Sequence, residues 1–209
     1  MNQRVRVKIC GITNVAMARL AASAGADAIG LVFYRPSPRY VCPETAARIV
    51  AGLPPFVSAV GLFVDAEPGE VIRIRQQVGL DLLQFHGNET VEACEQYDMP
   101  YMKAIRVQSG TNLLQYAQQF KQARALLLDA FMEGVPGGTG QVFDWNIIPR
   151  TFPKPVVLAG GLNPENVVAA IREVRPYAVD VSGGVELNKG IKDAAKIAAF
   201  MRGVSDASL

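Results

Sequence analysis

Short apolar runs return along the chain roughly every 20 to 30 residues, and the stretches between them carry apolar side chains at helical rather than alternating spacing. Runs rich in Val, Ile, Leu and Phe fall at 5–10, 28–33, 57–64, 81–86, 101–106, 125–130, 155–160 and 178–183. None lies close enough to the next to make a hairpin, so the runs predict parallel strands joined by crossovers. The segments Ala16 to Ala24, Pro43 to Ala51, Glu70 to Val78, Thr90 to Tyr97, Asn112 to Gln122, Asn163 to Val174 and Asp193 to Met201 predict helices. Thr13, Asn14 and Asn163 are expected to cap helix starts, and Pro164 takes the first-turn position that proline tolerates. Eight β/α units predict a closed parallel barrel of the TIM type, one domain over residues 1–209, short for that fold. The alternative is an open doubly wound sheet, but no GxGxxG turn follows the first strand.

Alternation within the strands assigns their faces. In the first, Val5, Val7 and Ile9 should meet helices, which turns Arg6, Lys8 and Cys10 into the barrel. Leu127 with Asp129, and Asp180 with Ser182, point inward by the same rule, while Val179 and Val181 point out. A buried charge is costly alone, so Lys8 is expected to pair with Asp180 or Asp129.

Charge and cysteine content narrow the function classes. The 21 basic and 19 acidic residues are mixed along the chain, giving a net charge of +2 and no basic stripe for nucleic acid. No apolar run approaches the length of a membrane helix, and no leader precedes the first strand, which together predict a cytoplasmic protein acting on small molecules. Cys10, Cys42 and Cys94 are too few and too scattered for a zinc site or a disulfide scaffold and are expected as free thiols. His86 is the single histidine, so no metal centre is expected.

Barrel enzymes keep their chemistry at the C-terminal strand ends, and these ends are polar here. Strand seven runs into Gly160-Gly161 and strand eight into Ser182-Gly183-Gly184. Glycine pairs can be plain tight turns; two of them at adjacent strand ends, where barrels hold phosphate on backbone amides, predict a phosphate site. Asp129 closes an apolar strand, where an idle carboxylate would be expensive. Cys10 could be a small buried hydrophobe, Arg39 a surface arginine and His86 a satisfied structural histidine.

The motifs Lys8-Ile9-Cys10-Gly11-Ile12-Thr13 and Arg35-Pro36-Ser37-Pro38-Arg39 resemble phosphoribosylanthranilate isomerases. So do Gln84-Phe85-His86-Gly87, Gly137-Gly138-Thr139-Gly140 with Phe143-Asp144-Trp145, and Leu158-Ala159-Gly160-Gly161-Leu162-Asn163-Pro164-Glu165-Asn166-Val167, covering the chain end to end. This resemblance implies a TIM barrel that performs an Amadori rearrangement without cofactor. Its substrate would be N-(5-phosphoribosyl)anthranilate and its product 1-(2-carboxyphenylamino)-1-deoxyribulose 5-phosphate, in tryptophan biosynthesis. It also implies Cys10 as general base, Asp129 as general acid and Arg39 as the ligand of the anthranilate carboxylate, with Gln84 and His86 lining the anthranilate side.

As base, a free thiol near 8.5 needs a positive neighbourhood; as acid, a carboxyl near 3.9 needs desolvation or negative neighbours. Both shifts are therefore expected. The long segment from Phe131 to Trp145 is expected to close over substrate, although Gln141 stands where a basic residue would be less surprising. Indole-glycerol-phosphate synthase would need catalytic lysines, and the histidine-pathway isomerase an aspartate in place of Cys10. A catalytically silent sugar-phosphate sensor would not need both acid and base. Monomer and homodimer both remain open.

Overall fold

The structure, a computed structural model, describes residues 4–130 and 143–207. The lid expectation for Phe131 to Trp145, with Gln141, falls for the most part outside the described residues.

The eight predicted strands are present: β1 (Arg6–Cys10), β2 (Ala28–Val32), β3 (Ser58–Phe63), β4 (Leu82–Phe85), β5 (Tyr101–Val107), β6 (Ala125–Ala130), β7 (Val156–Leu158) and β8 (Ala178–Val181). Each pairs in parallel with the next, and β8 closes on β1, so the sheet is a barrel with no free edge. Around it lie α1 (Val15–Ser23), α2 (Pro43–Ala51), α3 (Pro68–Val78), α4 (Val91–Glu95), α5 (Leu113–Gln119), α6 (Val167–Val174) and α7 (Ala194–Ala207). Between β6 and β7 the described residues contain a single 3-10 turn, Trp145–Ile147, rather than an α-helix.

The faces follow the alternation. Val7, Ile9, Leu126, Leu128, Val179 and Val181 pack outward in the main core under the helices, while Met102, Ala104, Leu127, Val157 and Ala159 fill the barrel. Lys8 pairs with Asp180 inside, Nζ to Oδ1 at 2.9 Å, and the two residues are register partners on β1 and β8. Space for this comes from Gly30. A Cβ there would stand 2.6 Å from Cys10 Sγ and 3.0 Å from Lys8 Nζ, so a side chain on β2 would displace both.

Two local expectations differ. Asn14 caps α1 by accepting from Met17 N at 2.9 Å, but the Thr13 hydroxyl donates to Gly190 O at 3.1 Å, a tertiary bond that displaces the capping role. Asn163 Oδ1 accepts from the amides of Glu165 and Asn166, making a turn before α6 begins at Val167. After β8 the chain also forms a hairpin that the apolar pattern does not announce, β9 (Glu186–Asn188) and β10 (Ile191–Lys192).

Candidate active site

At the C-terminal ends of the strands lies a cavity of about 400 Å³, a size suited to a small-molecule ligand. Cys10, Arg39, Gln84, His86, Asp129, Gly160, Gly161, Ser182, Gly183 and Gly184 all line it, so the structure brings every sequence-nominated residue to one mouth.

On the β6 side, Asp129 Oδ1 accepts from its neighbour's amide, Ala130 N, at 3.0 Å, and Oδ2 lies 3.1 Å from His86 Nε2. Gln84 Nε2 sits 2.9 Å from His86 Nδ1. With that amide donating, Nδ1 is an acceptor and the imidazole proton rests on Nε2, aimed at the carboxylate. Among the described residues Gln84 Oε1 is buried without a partner, so the same amide turned over could instead accept from a protonated Nδ1. Both ring nitrogens are thus spent within the chain Gln84–His86–Asp129.

Opposite, on β1, Cys10 is buried beside the Lys8–Asp180 pair. The expected thiolate-favouring shift is absent from the free protein: burial pushes the Cys10 thiol above its ordinary value, and Lys8 and Lys192 pull it back only in part. Burial opposes the charge of Lys8 as well, but Asp180 and Cys10 outweigh it and hold the ammonium above its usual range. Cys94, away from the mouth, is pushed up to about 12 by burial, and Cys42 is a half-buried free thiol.

The glycine pairs adopt two shapes. Gly160 and Gly161 have φ of +79° and +66°, left-handed values that turn the chain outward at the end of β7. Gly183 and Gly184 open a 3-10 turn, and a Cβ on Gly184 would fall 1.9 Å from Leu162 O, so the second turn nests against the first. Among the described residues, the amides of Gly161, Gly183 and Gly184 bond no other group, and all three residues line the cavity.

Arg39 reaches the mouth with its fork already engaged. Nε and Nη2 donate to Glu186 Oε1 and Oε2, each at 2.8 Å, and Lys192 Nζ donates to Oε1 at 2.9 Å. Sequence reasoning did not single out Glu186 or Lys192. The one available signal was Asn188-Lys189-Gly190, a hairpin turn that sets Glu186 and Lys192 opposite each other.

Fold and site together define a β/α barrel enzyme with titratable side chains from separate strands at its mouth. Residues 7–203 match the family model for N-(5'phosphoribosyl)anthranilate (PRA) isomerase, and the chain belongs to that family. The isomerase of Nitrosococcus oceani is 59% identical over 201 residues, covering 96% of this chain and 98% of its own. A phosphoribosyl anthranilate isomerase solved with reduced 1-(o-carboxyphenylamino)-1-deoxyribulose 5-phosphate superposes with a TM-score of 0.85 at 42% identity, over 97% of this chain and 99% of that one. A structure of monomers generated from the dimeric phosphoribosylanthranilate isomerase of Thermotoga maritima gives a TM-score of 0.84 at 40% identity over the same shares. The chain is accordingly an isomerase of phosphoribosylanthranilate, an aldose–ketose isomerase of tryptophan biosynthesis.

Proposed function

We propose that Cys10 and Asp129 divide the proton transfers of the Amadori rearrangement, with phosphate held on the glycine turns. The observation that carries this reading is their placement: two titratable groups on β1 and β6, both lining one cavity that also contains the glycine turns. Asp129 protonates the furanose ring oxygen, the C1–O bond breaks, and the anthranilate nitrogen forms an iminium at C1. Cys10, as thiolate, removes the C2 proton to give the enolamine. Protonation at C1 and loss of the C2 hydroxyl proton then yield the ketose, so atoms balance and no redox partner enters.

Gln84 and His86 position this acid. A proton held on His86 is one hydrogen bond from Asp129 Oδ2, and the Gln84 amide can serve either tautomer of the ring. The phosphate sits on the amides of Gly161, Gly183 and Gly184 with Ser182 beside them, where the 3-10 turn adds its dipole. Arg39 takes the anthranilate carboxylate through the edge of its guanidinium that Glu186 leaves open, or by exchanging one Glu186 bond for the substrate. A cytoplasmic location belongs to the same reading, supported by three free cysteines and by the lack, among the described residues, of any helix long and apolar enough to cross a membrane. So does a homodimer, supported by the dimeric Thermotoga maritima relative.

The test is loss of anthranilate fluorescence on mixing substrate with purified protein, the product being identified by chromatography. Cys10→Ala and Asp129→Ala should each lower kcat/KM by about 10²- to 10⁴-fold. Turnover within about tenfold of wild type in either variant removes that residue from its role.

A further inference from the structure

The hairpin β9–β10 places a lysine where nothing in the acid–base scheme yet uses it. Lys192 and Glu186 are register partners, and their side chains are 0% and 5% exposed. One carboxylate here serves two cations, because Glu186 holds Arg39 through both oxygens as well as Lys192.

The charges around Cys10 therefore do not cancel. Lys8 on β1 is matched by Asp180 on β8, but Glu186 matches only one of Arg39 and Lys192. The neighbouring strands β2 and β3 present Val32 and Leu62 to the thiol and contribute no charge. Among the described residues of this cluster one positive charge is left over in a buried place, which costs stability unless an anion is to arrive or form there. Lys192 Nζ gives its other bonds to Ser182, to the carbonyl at 3.0 Å and to Oγ at 3.4 Å, and Ser182 Oγ donates to Cys10 O at 3.1 Å. The surplus cation is thus one hydroxyl away from the Cys10 backbone.

We propose that Lys192 is a positioning residue for Cys10: fixed by Glu186 and Ser182, its charge favours the thiolate over the thiol. The proposal deepens the reading of Cys10 as general base and rests on it. Glu186 holds Arg39 through both oxygens and Lys192 through one. Burial draws Lys192 itself below its ordinary range, while Glu186 opposes that fall.

Alkylation of Cys10 by iodoacetamide as a function of pH, followed on the Cys10 peptide by mass spectrometry so that Cys42 and Cys94 do not contribute, reads the thiol ionisation directly. Lys192→Met should move the Cys10 titration upward by about one pH unit or more, and Lys192→Arg should bring it back. Lys192→Gln should move it upward as well, which keeps the proposal testable if Lys192→Met does not fold. The limb of the kcat/KM profile that reports the base should move in parallel. A Cys10 titration unmoved in Lys192→Met, or unmoved in Lys192→Gln, overturns the proposal. If the thiol titration moves and the kcat/KM limb stays, the role of Lys192 stands and Cys10 is not the base.

Discussion

On the β1 and β8 side of the mouth the polar groups are ions: Lys8 with Asp180, and Arg39 and Lys192 on Glu186, gathered around Cys10. On the β4 and β6 side, among the described residues, the side chain of Asp129 bonds the His86 ring and the Ala130 amide, and no permanently charged group bonds it. The difference matches the proton that each side would move under the proposed roles. A thiol that must lose its proton is helped by fixed cations, whereas a carboxyl that must deliver one would be crippled by them, since a guanidinium or ammonium beside it would lock it as carboxylate. A histidine can instead hand a proton over.

Breaking the ionic side should have the largest effect. Asp180→Asn leaves Lys8 buried without a counter-ion, and losing one partner of such a pair costs about 3–5 kcal/mol. Urea unfolding should register that loss in full, and an unchanged midpoint would mean that the pair is not buried as described.

Breaking the hydrogen-bonded side should spare the fold and strike the rate. Asparagine at position 86 cannot reach Asp129, and a bond to a charged group is worth about 1.5–3 kcal/mol. His86→Asn is therefore expected to lower kcat roughly 10- to 100-fold with little change in KM. A rise in KM with kcat preserved would instead make His86 a binding residue.

The smallest effect separates the two pairs of the ionic side by pH. Although burial acts to raise it, Arg39 and Lys192 hold the Glu186 carboxyl below its ordinary value of 4.5, so its contribution to stability is present above that pH and is lost as pH falls. Lys8 is held above its ordinary 10.5, so its contribution is present below that pH and is lost only as pH rises further. Unfolding measured across the acid range should show a shallower decline in Glu186→Gln than in wild type, and the same slope in both would dissociate Glu186 from acid stability.

The barrel was legible because every strand is an apolar run between helical stretches, and closure leaves no edge that would need a different pattern. The inward direction of Lys8 and Asp180 followed from alternation alone, and the need of Lys8 for a carboxylate from the cost of a buried charge, with the choice of Asp180 over Asp129 left to the structure. The glycine turns, Cys10 and Asp129 were legible by position at strand ends and by resemblance. What escaped depends on tertiary contact. Thr13 reads as a cap until Gly190 is brought to it, and the Cys10 thiol reads as activated until its burial is seen to outweigh its cations. Glu186 and Lys192 lie in a two-stranded hairpin too short to carry a periodic signal, and the sharing of Glu186 with Arg39 joins segments 147 residues apart.

Division of labour across the mouth is tested most directly by a crystal structure of this protein with the reduced product analogue. Phosphate should lie on the amides of Gly161, Gly183 and Gly184, with Cys10 Sγ facing the sugar C2 and Asp129 on the opposite side of the sugar chain. Phosphate bound elsewhere, or both groups on one side of the sugar, would contradict it.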